Sequence, residues 1–396
     1  MISEFYYRDL ILTFLTLLII LAIKEKNYNL LGGKKVKQFF FLLILGLSIN
    51  LSSNSVRAAK FEVVKNSPII TRGLGVEGNL SIKCDIRLIG AILPGDLDRL
   101  KTVVSKFPEY SRIGLCLQSE GGIFSVSIKI AQFLLGKHRK PYFESSEAYR
   151  SVYTVVESGK KCLSACAIIF MAGHFFEPEA NLGYLIRRYL HVNGQLGFHS
   201  PFLMVSTTEY TKKTLENAHK TATKSIKNMA KLGEGVSADG NAANPNVMPQ
   251  SLINEMLSYG DKEFYYIDTV HKANKYHVEL VGISKPRKLN RCHYDNICFN
   301  FHYKERDNSF LRGSSRSCSK AWRSVRRGSQ KLLYGANHGG EGAYYCVLKW
   351  SKRKRGRLEY YTELVGRKEK IESYGFLLAP NSFYYSPLTL IKNLAR

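Results

Sequence analysis

Apolar and polar positions along the chain follow two periods, and the switches between them mark its elements. SIKCDIRLIGAI (81–92) is rich in β-branched residues and predicts a strand; PGDLDRLKTVVSKF then sets Pro94 and Asp96 in first-turn positions and continues at helical spacing. RIGLCLQS (112–119) is an apolar run of strand length, broken by Glu120-Gly121-Gly122, after which Ile123, Val126, Ile130, Phe133 and Leu134 mark one helical face. YRSVYTVVES (149–158) predicts a third strand, followed by GKKCLSACAIIFMAG (159–173), a turn and a knot of small residues that opens an apolar helix closing on Gly173. This order of strand, helix, strand, helix argues for an α/β layer fold with largely parallel strands and crossover helices.

The rhythm then changes. QLGFHSP (195–201) predicts a short strand ending on His199, residues 208–232 a long polar helix, and 233–250 a Gly/Asn/Pro loop with little to bury, where mobility is expected. SLINEMLSYGDKEFYYIDTVHKANKYHVELVG brings back a helix and a terminal strand. From Lys285 the composition shifts to 24 Lys and Arg against 8 Asp and Glu, with four of the eight cysteines: Cys292, Cys298, Cys318 and Cys346. Three regions result: 1–59, 60–284 and 285–396.

The first region carries two uncharged apolar runs, Leu10–Ile23 and Phe39–Leu51, separated by a loop with Lys24, Lys26, Lys34, Lys35 and Lys37. Neither reaches the ~20 residues of a comfortable membrane span. The second has a secretory layout of basic GGKKVK, apolar FFFLLILGLSINL, polar SSNS and small residues that invite cleavage after Ala58 or Ala59, so export to the periplasm is expected. The first run is either a further membrane segment, anchoring the protein with its main domain outside, or is never made because translation starts after Met1.

With 396 residues, 45% hydrophobic, the chain can bury a sizeable core and is no disordered tail. Its net charge of +26 predicts attraction to anionic surfaces. SKRKRGR (351–357) and KAWRSVRRGSQK (320–331), with Trp322 and Trp350, have the composition of a phosphate-binding face. Export favours an anionic membrane surface over nucleic acid as the partner of that face.

The candidate chemistry lies in the middle region. A serine opening a helix after a strand has its hydroxyl beside unpaired backbone N–H groups, where an oxyanion is stabilised. Ser164 has that setting. Gly121-Gly122, just after a strand, can present N–H groups without side-chain obstruction. His199 at a strand end could serve as base. Singly, each has a commoner explanation in packing, turn formation or a structural histidine.

Cys162 and Cys166 flank Ser164 four residues apart. Either could bridge to Cys84 or Cys116, since adjacent helical turns rarely hold a disulfide between themselves. Cys166 is an alternative nucleophile. Cys292, His293, Cys298 and His302 match no common zinc spacing, and disulfides are the simpler expectation there.

Taken together, LQSEGGIFSVSIKIAQFLL, CLSACAIIFMAG and LGFHSP resemble the Clp protease proteolytic subunit and its relatives in the Clp/crotonase superfamily, in particular an exported bacterial branch with a Ser-Ala-Cys motif. The resemblance covers about residues 78–283 and includes the interval of nine residues from Ser164 to Gly173. It implies a β-α superhelical spiral, followed here by the smaller basic region. It also implies a serine peptidase with Ser164 as nucleophile, His199 as base, and Gly121, Gly122 and Ala165 around the oxyanion hole. The third triad member falls in YGDKEFYYIDTVHKANKYHVELVG, with Asp261 first and Glu263 and Asp268 as alternatives. The substrate would be a peptide or protein, no cofactor is called for, and assembly into a homo-oligomer is implied without a visible signal in this sequence. Glu120 departs from the family's usual proline and sets a carboxylate beside the presumed hole, where it opposes negative charge unless it turns outward. The stretch between Gly173 and His199 is longer than in the protease. Two rival functions stand beside the hydrolase: an inactive peptide-binding module of the same fold, and a basic scaffold docking to membrane or polyanion.

Overall fold

In the computed structural model of the chain, the described residues are 58–65, 67–68, 71–73, 80–109, 111–135, 151–177, 183–201, 211–233, 247–260, 263–283, 286, 288–302, 323–327, 330–334, 344–352, 358–366, 377–378 and 380–395. Both N-terminal apolar runs and most of the 233–250 loop lie outside them. Among the described residues no helix is long and apolar enough to cross a membrane.

In chain order the first elements are strands β1 (Lys60–Val63), β2 (Thr71–Gly73), β3 (Leu80–Ile82) and β4 (Ile86–Ile89), helix α1 (Asp96–Val104), β5 (Arg112–Gln118), α2 (Phe124–Leu134) and β6 (Ser151–Val156). Next come β7 (Lys161–Leu163), α3 (Ala165–Met171), β8 (His174–Glu177), β9 (Gly183–Ile186), β10 (Arg188–His191) and β11 (Gln195–Phe198). They are followed by α4 (Lys212–Gly233), α5 (Gln250–Leu257), β12 (Tyr265–Tyr266), α6 (Val270–Lys275), β13 (Glu279–Val281) and α7 (Arg291–His302). Beyond α7, β14 (Arg323–Arg327), β15 (Gln330–Tyr334), β16 (Tyr344–Lys352), β17 (Leu358–Gly366) and β18 (Leu377–Leu378) form an antiparallel sheet in sequence order.

The fold is mixed α/β with a parallel-rich sheet. Its main sheet has the order β1-β4-β5-β6-β10-β13; β4 to β13 are parallel neighbours and β1 is antiparallel at the edge. Each return places the next strand on the same side, so the chain winds steadily across the sheet. Alternation along the strands divides the apolar residues between two faces. Ile113, Leu115 and Leu117 of β5, Val152 and Val156 of β6 and Leu190 of β10 join the large core under the helices, whereas Cys116, Tyr153, Val155 and Tyr189 join a small cluster on the other face. Gly114 makes room on that second face: a Cβ there would lie 1.9 Å from the Lys83 carbonyl oxygen and 2.7 Å from the Tyr153 hydroxyl. That hydroxyl accepts from Lys83 N–H at 3.1 Å and donates to Lys83 C=O at 3.0 Å. Burial pushes the phenol's pKa up to about 12.

A second, shorter layer grows from the C-terminal ends of the parallel strands. Ile92 bridges Gly122, Ser119 bridges Cys162, and β7 pairs with β11, which pairs with β12. The insertion after Gly173 is the β8–β9 hairpin, which returns the chain to the main sheet at β10.

Helix α3 is anchored at its C-terminal end. Thr154 Oγ1 of β6 donates to Phe170 C=O at 2.7 Å, and a Cβ at Gly173 would lie 2.1 Å from Thr154 Oγ1. Arg188 of β10 is 1% exposed, and its guanidinium donates to Tyr276 C=O and Val247 C=O, both at 3.0 Å, with Met171 Sδ at 3.7 Å. Burial holds its pKa well below the ordinary guanidinium range, at about 9. It thereby ties the end of α3 to the end of α6 and to the chain entering α5. We predict that Arg188→Met, which keeps volume and removes the donors, leaves two buried carbonyls unpaired and lowers stability by about 1–3 kcal/mol in denaturant unfolding.

Candidate functional site

Strand β7 ends at Leu163 and α3 begins at Ala165, so Ser164 alone makes the junction, at φ 56° and ψ −124°. A non-glycine residue at such a positive φ costs about 1–3 kcal/mol and persists only where its surroundings over-determine it. Here they do. Ser164 N–H donates to Gly197 C=O at 2.9 Å, Leu163 N–H to Ser119 C=O at 3.0 Å, and Ala167 N–H to Ser164 C=O at 2.9 Å.

The Gly121-Gly122 loop lies directly against this turn, with φ 118° and 149°. A Cβ at Gly121 would stand 2.7 Å from Ser164 Cβ and 3.1 Å from its Oγ. Ser119 Oγ accepts from Gly121 N–H at 3.0 Å and donates to Gly121 C=O at 3.1 Å, while Ile92 N–H donates to Gly121 C=O and Ile92 C=O accepts from Ile123 N–H. These bonds pass over Gly122. Among the described residues its N–H and that of Ala165 have no hydrogen-bond partner. Glu120 points outward: its side chain is 67% exposed and pairs with Lys161 of β7 at 3.4 Å, so the carboxylate is spent on a surface lysine.

His199 follows β11, and β11 runs parallel beside β7 with Leu163 opposite Gly197. Ser164 and His199 therefore leave the same edge of the small sheet, each just past its strand. The His199 ring is buried; its Nδ1 donates to Ser200 C=O at 2.8 Å, which leaves Nε2 with the lone pair when the ring is neutral. Phe264 packs edge-on at 4.8 Å between centroids.

The candidate acids separate. Asp261 lies outside the described residues; on either side of it, Tyr259 C=O accepts from Ser200 N–H at 3.0 Å and Phe264 touches His199. Glu263 is exposed, and Asp268 pairs with Lys272 at 2.8 Å.

The cysteines correct the sequence reading. Cys162 bridges Cys166, and Cys84 bridges Cys116. The expectation against the first pair assumed that both residues sit on adjacent helical turns, but Cys162 belongs to β7 and the chain reverses at Ser164, bringing the two Cα atoms to 5.1 Å. Cys166 is accordingly no nucleophile while the bridge stands. Cys292 is also disulfide-bonded, which removes it as a zinc thiolate. The sulfurs of Cys84 and Cys116 lie near the Glu157 carboxylate, but the sulfurs are joined to each other and Glu157 takes two hydrogen bonds from Arg87, so this group is not available to a metal. Buried disulfides fit an oxidising compartment.

Two contributors were missed in the sequence, Ser119 and Lys161. The signal for Ser119 was its place two residues before Gly121, the spacing of a hydroxyl turn.

No protein-family model matches the chain, and no curated protein matches it in sequence. Among solved structures it is similar to a ClpP1 mutant from Listeria monocytogenes, with 14% identity and a TM-score of 0.31, over 48% of this chain and 85% of that one.

Because Gly121 touches Ser164, Gly121→Ala should lower stability by about 1–3 kcal/mol through the forced φ and the clash. Gly260→Ala, with nothing within 4 Å of the added carbon, should stay within about 0.5 kcal/mol of the parent. Denaturant unfolding of both checks this.

Proposed function

We propose that the chain is an exported serine hydrolase of peptidase type, built on a Clp/crotonase-like spiral and working through an acyl-enzyme on Ser164. The observation that carries this reading is the backbone of Ser164, a strained strand-to-helix turn with a glycine pair packed against it. Strain of this kind at a non-glycine residue is kept where exposure of its side chain matters.

In this reading His199 Nε2 takes the Oγ proton as Ser164 attacks the substrate carbonyl carbon, and the N–H groups of Gly122 and Ala165 receive the negative oxygen. Collapse of the tetrahedral intermediate breaks the carbon–nitrogen bond, and the imidazolium gives its proton to the departing amine. Water, deprotonated by His199, then attacks the ester and frees Ser164. Asp261 is the proposed orienting acid; it would accept the Nδ1–H hydrogen bond now made to Ser200 C=O as the ring turns toward Ser164. Catalytic hydrogen bonds are often long in unliganded sites and tighten with substrate.

Export is supported by the signal-like run before Lys60 and by the buried disulfides. Docking of the basic region 285–396 to anionic lipid is part of the same proposal, with +16 of formal charge (24 less 8) in that region.

One observation favours a second reading. His199 Nδ1 donates to Ser200 C=O at 2.8 Å, as in a module that binds peptides in the same cleft without acylation. A fluorophosphonate probe separates the two. The hydrolase predicts labelling of the folded chain that is abolished in Ser164→Ala and slowed about 10²–10⁴-fold in His199→Gln; equal labelling of wild type and Ser164→Ala, or none of either, supports the module.

A further inference from the structure

We infer that the Cys162–Cys166 disulfide is a positioning device for Ser164, holding the serine turn in its reactive shape so that the site works only in the oxidised protein. The inference rests on the reading of Ser164 as nucleophile.

The serine is the midpoint of the bridged segment, two residues from each cysteine. In an extended chain Cα atoms four residues apart are separated by about 13 Å, whereas Cys162 and Cys166 are 5.1 Å apart. With Cys162 in the strand β7, the sulfurs meet because the chain reverses at Ser164. Both cysteines are fully buried in the large core, so the bridge links two fixed bodies.

Those bodies are held unequally. On the strand side β7 is gripped along both edges, by Ser119 at one and by β11 at the other. On the helix side, the backbone bond from Ala167 N–H to Ser164 C=O is the tie across the turn among the described residues. The disulfide is the second tie on that side. Ala165, whose N–H is a proposed oxyanion donor, sits between the two. Loss of the bridge should therefore disturb the Ala165 donor and the Ser164 hydroxyl together and leave β7 in place.

The other described bridge offers an internal contrast. Cys84–Cys116 also lies in buried surroundings, but it joins residues 32 apart in sequence in the cluster on the opposite face of the sheet. It constrains the fold without spanning the serine. In a reducing cytoplasm a dithiol would convert Cys162–Cys166 to two thiols, itself becoming a cyclic disulfide, and the serine turn would lose its clamp. The site is thereby kept silent until the chain reaches an oxidising compartment.

The test compares the full chain carrying Cys162→Ala/Cys166→Ala with one carrying Cys84→Ala/Cys116→Ala, each lacking one buried bridge. Two quantities are read per folded molecule: the rate of fluorophosphonate labelling at Ser164 and amide hydrogen exchange at Ala167, whose N–H spans the turn. The expected result is labelling slowed at least about tenfold and exchange raised by a similar factor in the first chain, with both close to wild type in the second. Equal behaviour of the two chains overturns the inference. If wild type is not labelled at all, the hydrolase reading fails, while exchange still decides whether the bridge holds the turn. If both Cys162→Ala/Cys166→Ala and the bulkier Cys162→Val/Cys166→Ala fail to fold while the second chain folds, the bridge serves folding and the inference is overturned as well.

Discussion

Ser164 must carry a side chain through φ 56°, ψ −124°, and the packing around it is arranged so that this one residue has no alternative. From below, β7 is locked between the end of β5 and the whole of β11. From above, α3 is fixed at its far end by Thr154, by the close approach of Gly173 to β6 and by the buried Arg188. Between them the disulfide closes the turn, and Gly121 leaves space that any larger residue would take from the serine. A turn with both arms immobilised retains a conformation that a free chain would abandon.

The same arrangement decides the electrostatics. Glu120 could have filled the space beside Gly121 with negative charge, yet Lys161, on the strand next to it, draws it to the surface. The two unpaired amides therefore face no described carboxylate that would compete for them. On the other side His199 is set by β11 and by Phe264, and the segment carrying Phe264 is in turn supported by the last residues of the chain. Val270 N–H donates to Thr389 C=O, His271 N–H to Pro387 C=O, and Ile391 N–H to Asp268 C=O, while Ile391 and Leu394 enter the large core. The end of the basic region is thus built into the α/β layer, and truncation before residue 380 would remove support from the histidine side of the site.

Much of this was legible in the chain. The strands at 86–89, 112–118 and 151–156 and helices α1 and α2 follow from apolar period and from the Gly-Gly break, because burial on both faces of a parallel sheet and on one face of a helix leaves distinct spacings. Ser164, Gly121-Gly122 and His199 were singled out by their order along the chain, and the structure brings the first two into contact and sets the third at the same sheet edge. The Cys162–Cys166 bridge was not legible, because the spacing of four reads as helix and only the turn at Ser164 reassigns Cys162 to a strand. The outward turn of Glu120 depends on Lys161, a residue 41 positions later that sequence spacing does not bring near it. The antiparallel sheet β14–β18 was not read from the chain: arginine makes up three of the five residues of β14, and the basic run SKRKRGR that begins at the end of β16 reads as a charged surface stretch, so neither shows the alternation that marks a sheet.

In the proposed mechanism the turn at Ser164 presents a nucleophile to the amides of Gly122 and Ala165. The most direct measurement is a crystal structure of the protein after reaction with a fluorophosphonate. The account predicts a covalent bond from phosphorus to Ser164 Oγ, with one phosphonyl oxygen within about 3 Å of the Gly122 and Ala165 nitrogens and His199 Nε2 turned toward Oγ. An unmodified Ser164, or an adduct whose oxygen points to solvent away from both amides, would contradict it.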